Sequence, residues 1–194
     1  MARTTIPGYT YGAAPRSPLT LEELELLQRT LLFGEEDVQA LRRSRVVLAD
    51  QVEQILDVWY GFVGANPHLL RYFAGADGQP NGPYLEAVRK RFGQWILDTA
   101  AAEYDQAWLD YQHEIGLRHH RAKKNATDGV ESADLIHYRY LPALVYPITA
   151  TLKPFLAKRG DAPEVVEQMH QAWVKSVLLQ VTLWSQPYVR DGEF

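Results

Sequence analysis

The 194-residue chain contains no cysteine. Disulfide bonds, thiolate-bound metal clusters and cysteine-containing zinc sites are therefore excluded. The chain also lacks an excess of positive charge, since its 20 basic and 24 acidic side chains give a net charge of −4. The composition consequently gives no indication of binding to nucleic acid or to an anionic membrane surface.

Long apolar runs and strand-like alternation are missing as well. No stretch approaches the roughly 18 consecutive apolar residues of a membrane-spanning helix, and residues 1–12 lack the apolar segment of a secretory signal. No segment alternates with a period of two, and the chain has neither internal repeats nor low-complexity segments. We therefore expect a soluble, cytoplasmic, all-α protein that folds as one domain over residues 1–194.

Apolar residues at helical spacing cover most of the chain. Thr20 and Glu23 form a capping-box pattern that predicts a first helix, ending at Gly34. Further apolar stripes predict the remaining helices. These run over residues 35–47, 49–64, 85–96, 104–119 and 163–184, with a short helical turn over 67–73.

The segment 135–156 is strongly apolar but contains three prolines, at 142, 147 and 154. Each proline removes one hydrogen bond from a helix interior. We therefore expect this segment either to be kinked or to become helical later than its hydrophobicity indicates.

His119 is the candidate functional residue that the helical pattern singles out. It ends an apolar stripe whose members are spaced by four, three, four and four residues, which at about 100° per residue places them on one face. The stripe consists of Tyr104, Trp108, Tyr111, Ile115 and His119. A neutral imidazole at the end of a buried stripe either makes a hydrogen bond in the core or binds a metal, and haem iron is commonly bound in this way. The register alone leaves both alternatives open.

Several other residues carry weaker signals. Trp59 and Tyr60 combine a large ring with a hydroxyl at the margin of an apolar stripe, as a gas-binding pocket could use. Phe92 could pack against a flat macrocycle, with Arg91 or Arg89 reaching its carboxylates. An ordinary aromatic core and solvated basic side chains are the competing interpretations of these residues.

Two histidine patterns are too incomplete to predict a zinc site. His113 and His120 lie seven residues apart on roughly one face, without supporting ligands. The string that begins His113-Glu114 resembles a zinc-protease motif, but Leu117 stands where that motif requires a second histidine.

Five segments of the chain closely resemble protoglobins, and the similarity extends over essentially the whole chain without sizeable gaps. From these segments the sequence is identified as a member of the protoglobin family. The segments are Ile6–Gly12 (IPGYTYG), Asp57–Gly64 (DVWYGFVG), Ile96–Thr99 (ILDT), Leu117–Lys124 (LRHHRAKK) and Tyr146–Leu156 (YPITATLKPFL).

The resemblance implies a globin-like three-over-three helical sandwich in which residues 1–34 form an N-terminal arm and an extra helix. It also implies a b-type haem that binds O2, CO and NO, and without cysteine this haem is non-covalent. By the same likeness His119 is the proximal iron ligand, residues 1–17 bury the haem, and tunnels between helices carry the gases. The other cofactor-binding residues are then Trp59, Tyr60, Val63, Phe73, Arg91, Phe92, Leu144 and Ile148.

Family likeness and metal chemistry together suggest roles for two groups. Tyr60 is the expected hydrogen-bond donor to a bound gas. The ring nitrogen of His119 that does not bind iron is expected to donate to a carbonyl or a carboxylate. The sequence does not identify that acceptor.

Three positions depart from the family pattern. Leu144 and Val174 stand where relatives more often carry phenylalanine, and Pro142 replaces the usual aliphatic residue. The smaller side chains predict a wider pocket, and Pro142 predicts a shifted helix. Natural divergence and laboratory adaptation are both compatible with these changes, since protoglobin scaffolds have been adapted for carbene transfer.

Reversible binding of a diatomic gas, for storage, sensing or detoxification, is the leading hypothesis. The alternatives are a haem-dependent enzyme for redox, peroxide or carbene-transfer chemistry and a haem-free, colourless interaction module. The resemblance implies a homodimer, and the last helix carries an apolar stripe larger than one internal partner needs. We therefore expect the dimer to form through the last two helices. The members of the stripe are Trp173, Val177, Val181 and Trp184.

Overall fold

The computed structural model describes residues 6–194, which form eight α-helices. Short 3₁₀ turns at Arg71–Phe73, Ala157–Arg159 and Gln186–Tyr188 follow the fourth, seventh and eighth helices. No β-sheet and no helix long and apolar enough to cross a membrane occur in this range, so the predicted all-α class is confirmed. The helices are α1 (Leu21–Thr30), α2 (Glu35–Leu48), α3 (Val52–Gly64), α4 (Pro67–Leu70), α5 (Gly82–Ala101), α6 (Gln106–His119), α7 (Tyr140–Leu156) and α8 (Pro163–Trp184).

Side chains at the helix starts account for several boundaries. The Thr20 hydroxyl accepts a hydrogen bond from the Glu23 backbone N–H at 3.2 Å, and the Glu23 carboxylate accepts from the Thr20 N–H at 2.7 Å. The predicted capping box is thereby confirmed. Asn81 and Asp105 cap α5 and α6 in the same way, each accepting from a backbone N–H in the first turn.

The proline-rich segment becomes helical only at Tyr140, which confirms the later start that was one of the two predicted alternatives. Pro142 therefore lies in the first turn of α7, where a backbone N–H has no helical partner in any case. Pro147 and Pro154 lie inside the helix. The carbonyls of Ala143 and Ala150, four residues before these prolines, therefore lose their helical donors.

Helix α8 is the central element of the packing. It contacts α2, α6 and α7, and α2 also packs against α5. At Gly116 the backbones of α6 and α8 approach closely, because an added Cβ would lie 3.0 Å from the Cα and 3.1 Å from the carbonyl oxygen of Trp184. A residue without a side chain is therefore needed where the end of α6 crosses α8.

The apolar stripe of α8 faces the interior of its own chain. Its interpretation as surplus surface for a second copy is therefore wrong, because α2, α6 and α7 already cover it. Among the large apolar residues that α7 and α8 do expose are Tyr146, with 79% of its surface accessible, and Leu178, with 37%. The buried members of the stripe are Trp173, Val177, Val181 and Trp184.

The N-terminal arm lies against α5 and α6 in the part that the structure describes. The Tyr9 hydroxyl donates a hydrogen bond to Asp98 of α5 at 2.7 Å. The rings of Tyr9 and Tyr11 pack against Tyr111 of α6, with centroid distances of 5.3 and 5.4 Å. Residues 1–5, which the arm prediction also included, lie outside the described residues.

The close contact at Gly116 predicts that a larger residue at this position destabilises the protein. Gly116→Ala should lower the free energy of unfolding by about 1–3 kcal/mol, because a new methyl group meets helix backbone that has little room to move. Gly61→Ala is the matched control, since Gly61 is also helical and an added Cβ there meets no atom within 4 Å. The free energy of unfolding of the control should rise by about 0.5–1 kcal/mol, because alanine has a higher helix propensity than glycine. Urea unfolding followed by circular dichroism measures both, and equal stabilisation of the two variants would contradict the prediction.

Candidate functional site

The orientation of the His119 ring is fixed by its own helix and by α8. Its Nδ1 atom lies 2.8 Å from the carbonyl oxygen of Ile115, one turn earlier in α6. The ring also stacks on Trp184, with a centroid distance of 5.2 Å and an interplanar angle of 11°. Because a carbonyl oxygen only accepts hydrogen bonds, Nδ1 carries the proton and Nε2 keeps a free lone pair. This arrangement supplies the acceptor that sequence reasoning left unidentified.

The surroundings keep the His119 imidazole neutral. Burial lowers the pKa of His119, and the positive charges of Lys124 and Arg118 lower it further, against the opposing effect of the hydrogen bond to Ile115. A neutral imidazole is the form that binds a metal ion. The ring is therefore in the correct protonation state for metal binding at neutral pH.

Seven of the predicted cofactor-binding residues meet in one apolar cluster. Helix α3 supplies Trp59, Tyr60 and Val63, while α5, α7 and the 3₁₀ turn after α4 supply the others. Leu69 and Tyr140 complete the cluster. We call this set the aromatic cluster. Its predicted members are Trp59, Tyr60, Val63, Phe73, Phe92, Leu144 and Ile148.

A continuous series of ring contacts joins His119 to the aromatic cluster. Trp184 stacks on His119 and lies 6.1 Å from Trp95, and Trp95 lies 5.2 Å from Phe92. Phe92 in turn meets Trp59 at 5.8 Å. The four central rings come from α8, α5 and α3, so three helices bring the histidine and the aromatic cluster into one interior region.

Tyr60 offers a hydroxyl group at the edge of the aromatic cluster. Burial raises its pKa well above the usual value, with the charges of Arg89 and Arg91 opposing the shift, so the hydroxyl remains protonated. The Arg89 guanidinium lies over the ring, 5.6 Å from its centroid. Among the hydrogen bonds of residues 6–194, none engages this hydroxyl, which leaves it able to donate to a ligand.

The two arginines expected near the haem carboxylates are engaged with protein groups. Arg91 forms a two-point ion pair with Asp128, at 2.9 and 2.6 Å, and also donates to the Pro7 carbonyl at 2.9 Å. Arg89 pairs with Glu53 and Asp57 at 2.8 and 2.7 Å. Arg91 therefore ties the N-terminal arm and the segment after α6 to α5.

Val174 and Leu144, the two positions with smaller side chains than expected, lie in different places. Leu144 belongs to the aromatic cluster. Val174 is half-buried on α8 and lies outside that cluster. Only the change at 144 therefore lies within the aromatic cluster.

Sequence reasoning missed the polar partners of the core tryptophans. Trp184 donates its indole N–H to Gln112 at 2.9 Å, Trp95 donates to Gln180 at 2.6 Å, and Trp173 donates to Ser44 at 2.8 Å. Both glutamines stand inside apolar helical stripes, which is the signal that could have revealed them. A buried glutamine or serine is tolerated there because it satisfies an otherwise unpaired indole N–H.

Glu114 is a second feature that the sequence did not reveal. Only 1% of its surface is accessible, yet its carboxylate accepts hydrogen bonds from Arg118 and Lys123, each at 2.8 Å. Two cations compensate for the cost of burying the carboxylate. The ion pairs fix the end of α6 directly beside His119.

The available donor set fits a haem better than a metal ion bound by protein alone. Within the described range, no group of three or more His, Cys, Asp or Glu side chains could hold a metal ion. A porphyrin supplies its own equatorial nitrogens and needs only an axial ligand from the protein. The lone pair on Nε2 of His119 could serve as that ligand, and the aromatic cluster offers flat apolar surfaces for the macrocycle.

Comparison with known proteins agrees with this architecture. The globin domain of a globin-coupled sensor from Geobacter sulfurreducens superposes with a TM-score of 0.67 at 16% sequence identity, over 89% of this chain and 99% of that chain. The likeness confirms the predicted globin fold. A search of curated proteins gave no match. The family model for Protoglobin matches residues 20–194, and the chain therefore belongs to the protoglobin family.

Proposed function

We propose that the chain is a single haem globin domain, with residues 1–34 as an N-terminal extension, that binds haem b non-covalently and binds O2, CO or NO reversibly. Nε2 of His119 is the proposed iron ligand. The hydrogen bond from Nδ1 to Ile115 is the observation that carries this proposal, because it leaves Nε2 free and fixes the ring. When bound, haem iron supplies an open coordination position for a diatomic gas.

The chain's own residues would shape the space in which the gas binds. The apolar side chains of the aromatic cluster lower the local polarity, and a hydrogen bond made in such surroundings is stronger than one made in water. Tyr60 is protonated and is the proposed donor to the gas. Leu144 gives the aromatic cluster a smaller side chain than the phenylalanine expected at this position.

Replacing His119 tests the proposed iron ligand. His119→Gly should lose haem, or bind it with an altered visible spectrum, because the axial nitrogen is removed. Added imidazole should restore the spectrum of the wild-type protein, since it can occupy the space left by the side chain. Absorption spectra of the reduced protein, with and without CO, measure both effects.

His120→Gly is the matched control for this experiment. The His120 ring lies against the ring of Tyr188, with their centroids 5.1 Å apart, and does not stack on Trp184. The control should keep the wild-type spectrum without imidazole. If His119→Gly also keeps the wild-type pigment and CO spectrum, the proposed ligand is wrong.

Tyr60→Phe tests the hydrogen-bond donor. A hydrogen bond worth about 1 kcal/mol corresponds to roughly fivefold in rate, so O2 should dissociate about fivefold faster from this variant. Tyr138→Phe is the control, because Tyr138 lies outside the aromatic cluster and packs against Tyr188, with ring centroids 5.7 Å apart. Stopped-flow or flash photolysis measures the rates. Unchanged O2 dissociation in Tyr60→Phe would rule out the proposed donor role.

We further propose a homodimer through α7 and α8, now with the exposed Tyr146 and Leu178 as its apolar contacts. Light scattering at micromolar concentration should give twice the 22.1 kDa chain mass. Tyr146→Glu should shift the protein toward monomer, because it places a charge in an apolar contact. Tyr138→Glu is the control, since Tyr138 is 50% exposed but precedes α7. A monomeric wild-type protein would reject the dimer.

A further inference from the structure

Lys124 is a buried cation without an acidic partner. Only 3% of its surface is accessible. Its Nζ atom donates hydrogen bonds to the Tyr72 carbonyl at 3.0 Å and to the Tyr84 hydroxyl and the Asn125 side-chain oxygen, each at 3.4 Å. All three partners are neutral. Within residues 6–194, no carboxylate lies within ion-pair distance of Lys124, whereas the other buried charges of this region are paired.

Such an ammonium group is costly unless an anion approaches it. Burial lowers the pKa of Lys124 to about 8, against the opposing effect of the negative charges of Asp134 and Asp128. The charged form therefore still predominates at pH 7. Asp128 does not neutralise Lys124 directly, because both of its oxygens are bound to Arg91. A buried charge of this kind favours a negatively charged ligand.

A buried hydroxyl group without a hydrogen-bond partner lies three residues further along the chain, on Thr127. The Thr127 hydroxyl oxygen is buried and has no hydrogen-bond partner. Its methyl group packs against the arm, 2.8 Å from where a Cβ on Gly8 would lie. Buried hydroxyl groups normally have a partner, so this one is available to donate to a ligand.

Lys124 contacts residues next to both parts of the proposed haem site, which are His119 and the aromatic cluster. Its backbone N–H donates to the His120 carbonyl at 3.0 Å, which ties it to the end of α6 just after His119. Its ammonium lies over the ring of Tyr84, 5.4 Å from the centroid, and that ring meets Phe73 of the aromatic cluster at 5.8 Å. Lys124 is thus connected to the end of α6 through its backbone and to the aromatic cluster through the ring of Tyr84.

We propose that Lys124 binds a propionate carboxylate of the haem, with the Thr127 hydroxyl as a second donor. This inference rests on the proposed haem function and assigns a residue that sequence reasoning did not consider. Arg91 was the expected partner, but Asp128 already neutralises its charge, whereas Lys124 has no carboxylate partner among the described residues. A charge-assisted hydrogen bond would then supply Lys124 with the counter-ion that it lacks in the protein.

The test compares haem with haem dimethyl ester, in which both carboxylates are masked. Wild-type protein should bind free haem more tightly than the ester. Lys124→Met should reduce that preference about tenfold or more, because the charged donor is gone while the aliphatic stem remains. Thr127→Val should reduce it a few-fold. Titration of the haem absorption band and the rate of haem transfer to an acceptor globin measure the preference.

Two further variants separate this role from a structural one. Lys124→Gln keeps a donor for the Tyr72 carbonyl without the charge, so it should fold normally and still lose the preference. Lys90→Met is the control for removing a surface charge, since Lys90 lies on α5 and pairs with Glu86. It should keep the wild-type preference. Circular dichroism of each haem-free variant verifies its fold.

The outcomes separate the two proposals. If the wild-type protein binds neither form of haem, both the haem function and the Lys124 site are wrong. If it binds both forms equally, or if Lys124→Met and Lys124→Gln keep the wild-type preference, only the Lys124 site is overturned. A loss of preference in both Lys124 variants, but not in Lys90→Met, supports the site.

Discussion

The candidate site depends on one hydrogen bond, from Nδ1 of His119 to the carbonyl of Ile115. It sets the tautomer of the ring and directs the free nitrogen away from its own helix. The stacked Trp184 fixes the same ring from α8, and Gln112 of α6 in turn accepts the indole N–H of Trp184. The three contacts form a closed loop between two helices, so the ring does not depend on a flexible side chain for its orientation.

This loop requires that α6 and α8 come very close. Gly116 permits the approach, and Trp184 occupies the position where a larger residue at 116 would collide. The interior has little tolerance for a shift there, because packed cores transmit small displacements to their neighbours. Trp95 continues the packing from Trp184 to Phe92, so the same close crossing also positions one wall of the aromatic cluster.

Residue spacing and family likeness predicted several features of the fold and of the candidate site. The capping box at Thr20, the helical register of His119 and the membership of the aromatic cluster all follow from spacing or from family likeness. The pairing of Trp184 with Gln112 joins residues 72 positions apart, and helical periodicity carries no information on such contacts. The stripe of α8 failed as a dimer prediction for a related reason: periodicity shows that a face is apolar, but not which element covers it.

The N-terminal arm connects the helix that carries Phe92 with the helix that carries His119. Arg91 donates to the Pro7 carbonyl and Arg118 to the Gly8 carbonyl, at 2.9 and 2.6 Å. These arginines directly precede Phe92 on α5 and His119 on α6 in sequence, and each is neutralised by its own carboxylate. Gly8 has a φ of +73°, and an added Cβ would lie 2.7 Å from the Arg91 guanidinium, so glycine is required there. Two adjacent carbonyls of the arm thus connect α5 and α6 at the level of the site. A displacement of either helix must therefore strain the arm, which couples the aromatic cluster to the histidine by a route independent of the tryptophan core.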